Sequence, residues 1–213
     1  MKLLLASKEK YLLEKGYSLL GIPNEDLKIG MINTALKNVK DQEYLKYMRE
    51  YMELMNSSGI NFKELDLDGK TEEEICNFFA DRNVIQVNGG NPFFLLKKVR
   101  ESKFDLILKE LLEKGYVYIG CSSGSFLMTP TIEVGAWKVG RERFGVEDLT
   151  ALNYVPFLLK CHYTDNKKEE ILEKSKNLKY PLRLLKDDQA ILVEDGNYKF
   201  VGNSEEVVLD NLK

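Results

Sequence analysis

Three short runs carry residue types that would form an acyl-transfer centre if the fold brings them together. The first, YVYIGCSSGS from Tyr116 to Ser125, holds Gly120, Ser122 and Gly124 in the fixed places of a G-x-S-x-G turn. Such a turn is so sharp that the residues two before and two after the serine must be nearly side-chain free, and the serine is left exposed over the start of a helix. A Gly/Ser-rich turn without chemistry has the same composition. The β-rich run before it, the lack of charge and the helix-compatible SFLM after it favour a nucleophile. The second run, VIQVNGGNPFFLL from Val84 to Leu96, places Gly89 and Gly90 between a strand pattern and a helix with Pro92 in its first turn. Glycines there let backbone N–H groups face an anion, as an oxyanion hole or a phosphate cradle requires, although a tight turn alone also uses them. The third run, FLLKCHYT from Phe157 to Thr164, contains His162, the one histidine of the chain.

A lone histidine is ordinarily a packing or surface residue. Here a nucleophilic serine needs a base that titrates near neutral pH, and His162 is the candidate of that kind. A third group should hold the imidazole in one tautomer. Glu133, eleven residues beyond Ser122, is the leading acid because it ends the uncharged segment and falls between nucleophile and base, with Glu147, Asp148 and Asp165 as alternatives. One histidine, no H-E-x-x-H and no paired-cysteine motif leave only carboxylates to bind a metal, so neither metal nor cofactor is expected. No P-loop or G-x-G-x-x-G motif occurs, which sets the nucleotide reading aside. Cys121 and Cys161 flank the proposed pair, but Cys121 fills an x position of the turn and should point away from the site.

These runs need a frame that delivers strand ends to one edge. The 213 residues, 44% hydrophobic and 31% charged, suit one compact domain over 1–213. A chain of this length buries roughly 70% of its unfolded surface around a single core. The formal net charge of −3 gives no field to gather polyanions, so nucleic acid is not an expected partner. Three widely spaced cysteines and an N-terminus too short in apolar residues for a secretory signal point to a reducing, cytoplasmic setting. The uncharged stretch from Gly115 to Ile132 is half Gly, Ser, Thr and Pro, so it suits a protein interior and no membrane contact is expected.

Short β-rich runs alternate with helical patterns, the signature of parallel βαβ units. Strands are expected over Lys2 to Ala6, Lys28 to Ile32, Asn61 to Leu67, Val84 to Asn88, Tyr116 to Cys121 and Phe157 to His162, with a last group inside Leu182 to Gly202. Tyr44, Met48, Tyr51 and Met55 form one apolar stripe of a helix over Gln42 to Asn56. Thr71-Glu-Glu-Glu opens a capped helix to Asp81, and Asn166 to Asn177 reads as a charged surface helix. Asp195-Gly196 predicts a hairpin between QAILVE and YKFVG. The fold class is therefore α/β, a three-layer doubly wound, mostly parallel sheet with a C-terminal antiparallel hairpin, and its site belongs at the carboxyl ends of the strands.

Taken jointly, GGNPFFLL, YIGCSSGS with PTIE after it, and CHYT resemble the peptidase E family of serine peptidases, also called aspartyl dipeptidases. The similarity runs from the first strand to His162 and fades beyond about Asn166. The resemblance implies a class I glutamine amidotransferase-like fold, Ser122 as nucleophile, His162 as base, and the backbone N–H groups of Gly90 and Ser123 as oxyanion donors. The family's acid is less uniform. Some members use an Asp that would align with Trp137 here, which favours Glu133 or an unaligned acid. Asp-preferring members also carry an Arg after the histidine, whereas DNKKEEILEK has none, so Lys167 or Lys168 is the counterpart. Lysine offers a point charge in place of a fork. Asn91 and Lys167 are the candidate substrate contacts, and Lys167 and Lys168 could equally be a solvated helix start paired with Glu170 and Glu169. The expected activity is hydrolysis of short peptides by a monomer or small homo-oligomer. An esterase or amidase with the same triad, or a binding domain without catalysis, is the alternative.

Overall fold

The computed structural model describes residues 1–138 and 140–209. Nine strands are present among them: β1 (Lys2–Ala6), β2 (Lys28–Ile32), β3 (Asn61–Leu65), β4 (Val84–Val87), β5 (Val117–Cys121), β6 (Leu158–Lys160), β7 (Leu182–Leu184), β8 (Gln189–Glu194) and β9 (Asn197–Gly202). The helices are α1 (Gln42–Ser57), α2 (Glu72–Phe79), α3 (Pro92–Glu101), α4 (Phe104–Glu113), α5 (Ser123–Leu127) and α6 (Lys168–Ser175), with short 3-10 and π turns between them.

Seven strands form one mixed sheet in the order β3-β2-β4-β5-β1-β8-β9. The first five are parallel, β8 runs antiparallel to β1, and β9 returns antiparallel along β8. Parallel strands are covered on both faces and so read as continuous apolar runs, as β1 and β5 do. On one face Leu3, Leu5, Ile85, Val87 and Tyr118 pack with Phe79 of α2, Val99 of α3 and Leu108 of α4. On the other face Leu4, Ala6, Ile29, Met31 and Ile119 pack with Met48, Tyr51 and Met55 of α1. Burying side chains of this size contributes roughly 1.5–3 kcal/mol each, which is what fixes the layers.

Local chemistry starts and stops the elements as the residue types require. Asp41 caps α1 through the Tyr44 N–H, and Thr71 with Glu74 closes a capping box on α2. Asp195 takes φ 48° and Gly196 takes φ 82°. Two successive positive φ values are what a two-residue hairpin turn between β8 and β9 needs. One expectation is corrected. The run Phe157 to His162 does not add a strand to the main sheet. Only Leu158–Lys160 is extended, and it pairs in parallel with β7 in a separate two-stranded sheet. His162 itself takes φ 59°, which ends extension before the imidazole. A satellite core of Val134, Leu158, Tyr163, Ile171, Leu182 and Leu184 holds this small sheet with α6.

Candidate active site

Strand β5 enters its turn between two walls of backbone. A Cβ on Gly120 would stand 2.6 Å from the Gly124 carbonyl carbon, and one on Gly124 would stand 2.0 Å from the Val87 carbonyl oxygen of β4. The spacing of the G-x-S-x-G run is therefore a packing requirement as well as a motif. Ser122, between them, is held at φ 48° and ψ −103°. A non-glycine residue adopts so strained a backbone only where its surroundings enforce it. Its N–H donates to the Ala6 carbonyl (3.0 Å), and its own carbonyl accepts from Phe126 in α5 (3.0 Å). The Ser125 hydroxyl bonds both Ala6 and Gly120 carbonyls at 2.8 Å, tying the turn to β1.

The Ser122 Oγ lies 3.1 Å from Nε2 of His162, and the Nδ1 of that ring lies 2.6 Å from Oδ1 of Asp187. An ionised carboxylate only accepts, so in the neutral imidazole the ring hydrogen sits on Nδ1 and the Nε2 lone pair is left for the serine hydroxyl. Partial burial pushes the Asp187 carboxyl up, but the hydrogen bond and charge of His162, with Lys8, outweigh it and hold the pKa at about 2. Lys8 Nζ reaches Asp187 Oδ2 at 3.2 Å. The histidine backbone is anchored as well, its N–H donating to the buried Ser7 hydroxyl at 2.9 Å. Ser7, Lys8 and Glu9, the three residues after β1, thus touch His162, Asp187 and the glycine turn in succession.

Asp187, not Glu133, is the carboxylate on the imidazole. Glu133 opens a 3-10 turn over Glu133–Trp137, where its N–H donates to the Thr131 hydroxyl and burial pushes its carboxyl upward. Glu147, Asp148 and Asp165 are likewise not the groups on Nδ1, and Asp148 pairs with Arg100. Asp187 stands in the turn just before β8, and it comes to the histidine because β8 pairs along β1 with Ala190 opposite Ala6. In sequence it lies far beyond His162, in a KDDQ run that reads as a solvated turn.

Gly90 lies opposite the serine turn with φ 139°, and a Cβ there would strike the Ala35 carbonyl oxygen at 2.2 Å. Its carbonyl accepts from the Ser123 hydroxyl at 2.9 Å, joining the two glycine-rich turns. Among the described residues, neither the Gly90 N–H nor the Ser123 N–H has an acceptor. The Asn91 side chain is engaged within the chain. Its Oδ1 caps α3 through the Phe93 and Phe94 N–H groups, and its Nδ2 donates to the Glu142 carbonyl at 2.9 Å. Lys167 sits beside the site, with Nζ donating to the His162 carbonyl at 3.2 Å. Lys168 begins α6 and is exposed.

Glu9 is a further acid at the site, and the sequence pattern hides it between Lys8 and Lys10. It is 1% exposed, and Oε1 accepts from the Gly89 N–H at 3.0 Å and the Tyr44 hydroxyl at 3.4 Å. Burial pushes its pKa up, opposed by the Gly89 N–H. The two flanking thiols are buried, and burial raises both, Cys161 to about 12, so they stay protonated and unreactive. Among the described residues no group of three or more His, Cys, Asp or Glu could hold a metal ion, and no helix is long and apolar enough to cross a membrane.

The chain is similar to known peptidases along most of its length. It is 29% identical over 168 residues to the uncharacterized peptidase PM1590 of Pasteurella multocida (strain Pm70), covering 77% of this chain and 81% of that one. Peptidase E of Nostoc sp. is 27% identical over 172 residues, 75% of this chain and 67% of its own. In fold, the chain superposes on a crystal structure from Listeria monocytogenes EGD-e, described as a peptidase E protein, with TM-score 0.81 at 23% identity, covering 95% and 98% of the two chains. A peptidase from an acI-B1 Actinobacterium gives TM-score 0.69 at 15% identity over 99% and 91%. The model of peptidase family S51 matches residues 8–201, from the segment after β1 into β9. With the family match spanning every strand that builds the site except β1, the chain belongs to peptidase family S51.

Proposed function

We propose that this chain hydrolyses short peptides as a serine peptidase of the peptidase E type, with Ser122 as nucleophile, His162 as base and Asp187 as the acid that orients it. The observation that carries the reading is the continuous hydrogen-bonded line from the Ser122 hydroxyl through the imidazole to Asp187, beside the Gly90 and Ser123 amide N–H groups, which have no acceptor among the described residues. In the first step the Ser122 oxygen bonds to the scissile carbonyl carbon as its proton passes to Nε2. The Gly90 and Ser123 N–H groups take the charge that develops on the carbonyl oxygen, a contribution of about 3 kcal/mol per donor in comparable sites. The imidazolium then gives its proton to the leaving amine as the C–N bond breaks. Water, deprotonated by the same ring, releases the acyl group and restores the serine.

Lys167 favours substrates with an acidic group near the scissile bond. It is joined by Lys160 and Arg141, and among the described residues all three donate only to backbone carbonyls, those of His162, Cys161 and Gly135. Burial lowers the pKa of both Lys160 and Arg141, opposed at Lys160 by the nearby Glu170, and a carboxylate from the substrate would favour the charged form of both. The setting that fits three free thiols is the reducing cytoplasm.

Turnover of a dipeptide panel varied at the first residue, together with fluorophosphonate labelling, tests the reading. The expected result is hydrolysis biased to acidic first residues, labelling at Ser122, and loss of at least about 10⁴-fold in kcat in Ser122→Ala with the fold intact. Hydrolysis retained by purified Ser122→Ala would overturn it, and turnover of esters without peptides would move the activity to an esterase.

A further inference from the structure

The turn between β4 and α3 uses its amide N–H groups unevenly. Asn88 donates to the Ile32 carbonyl at 3.1 Å, Gly89 to Glu9 Oε1 at 3.0 Å, and Asn91 to the Ala35 carbonyl at 2.8 Å. Among the described residues only the Gly90 N–H of these four is without an acceptor. The Gly89–Gly90 peptide that carries it therefore lies between two peptides that are each held, the one before by Glu9 and the one after by Ala35.

Two consecutive glycines would otherwise rotate freely, because neither has a Cβ to restrict φ. Gly90 already sits at φ 139°. That value is open to glycine and strained for other residues. One side of the turn is fixed by backbone, and the other depends on a single side chain. That side chain is a carboxyl in a place where burial is costly unless hydrogen bonds repay it. Glu9 takes the Gly89 N–H and the Tyr44 hydroxyl on the same oxygen. Glu9 Oε1 and the Ser122 Cβ both lie 3.2 Å from the point where a Cβ on Gly89 would stand, with the Tyr44 hydroxyl at 2.6 Å from it. The acid, the glycine turn and the nucleophile are thus in one packed contact.

We infer that Glu9 is a positioning residue for the oxyanion hole: by accepting the Gly89 N–H it sets the plane of the next peptide, so that the Gly90 N–H faces the carbonyl attacked by Ser122. This rests on the serine peptidase reading. An acceptor oxygen is what the position needs, so glutamine should serve and leucine should not.

The experiment compares Glu9→Leu and Glu9→Gln with the unaltered chain by kcat and KM on one dipeptide and by inhibition with a peptide aldehyde. The aldehyde forms a tetrahedral adduct on Ser122 whose oxygen occupies the same hole. An oxyanion donor is worth about 10²–10³ in rate, so a displaced one should cost Glu9→Leu about 10–100-fold in kcat. Its KM should stay nearly constant and its aldehyde affinity should fall in parallel with kcat. Glu9→Gln should recover most of both, with thermal melts showing that the variants are folded. Full kcat and aldehyde affinity in Glu9→Leu beside an active parent would overturn this inference alone. So would a folded Glu9→Gln that loses kcat as heavily as the leucine variant, because the requirement would then be for charge. If the unaltered chain neither hydrolyses peptides nor labels at Ser122, the parent reading falls and takes the inference with it.

Discussion

The Gly124 backbone lies so near β4 that an added Cβ would stand 2.0 Å from the Val87 carbonyl, whereas Asp187 occupies a half-exposed turn that reaches the site only because β8 pairs along β1. The Ser122 side of the site is thus fixed by exclusion: β4 and the turn's own backbone leave no room for a side chain at 120 or 124. The acid side is fixed by register, at a distance, with solvent on one flank. The difference is instructive about tolerance. A crowded backbone accepts no change of size, and a register-held side chain accepts changes of size but not of hydrogen-bonding type.

Substitutions on the two sides should separate these regimes. The largest effect belongs to Asp187→Asn, which keeps the shape but favours the wrong tautomer of His162. Its kcat should fall by about 10³–10⁴-fold, while Glu133→Gln, changed in the same way in the same assay, should leave kcat untouched. Equal losses would return the acid role to Glu133. Next is Gly124→Ala, where the methyl must displace β4 or the turn. Overpacking of this kind costs about 1–3 kcal/mol, so the denaturation midpoint should drop together with activity. An unchanged midpoint would show that the turn has slack. The smallest effect concerns pH. The depressed pKa means that ionised Asp187 stabilises the folded chain fully above the ordinary carboxylate range, and that this contribution is lost as pH falls to about 2. The melting temperatures of the unaltered chain and Asp187→Asn should differ at neutral pH and converge in strong acid, and a gap that persisted there would assign the stabilisation to shape rather than charge.

The same contrast explains what can be read from the residues alone. Ser122 and its glycines are legible because steric exclusion acts within five residues and leaves a local signature. The parallel core is legible for a related reason, since strands buried on both faces must be apolar throughout, and the Asp195-Gly196 turn announces itself by its backbone demands. Asp187 is not legible. Nothing near it in sequence distinguishes it from Asp188, and only the pairing of Ala6 with Ala190 says which turn meets the imidazole. The expectation for Glu133 assumes that an acid between nucleophile and base in sequence lies between them in space, but the 3-10 turn at 133–137 packs toward the satellite core, with Val134 buried there. His162 reads as a main-sheet strand end, yet its place comes from a separate small sheet and from the Ser7 hydroxyl. Glu9 gives no signal between two lysines, because burial of a lone acid follows from the turn it supports.

The pairing of β8 with β1 also orders events in time. Strand β1 leaves the ribosome long before β8, and its outer edge stays open until that later strand arrives. Until then the imidazole lacks its hydrogen bond to Asp187, so the line from Ser122 through His162 to Asp187 is completed only when the returning strand zips onto the earlier one.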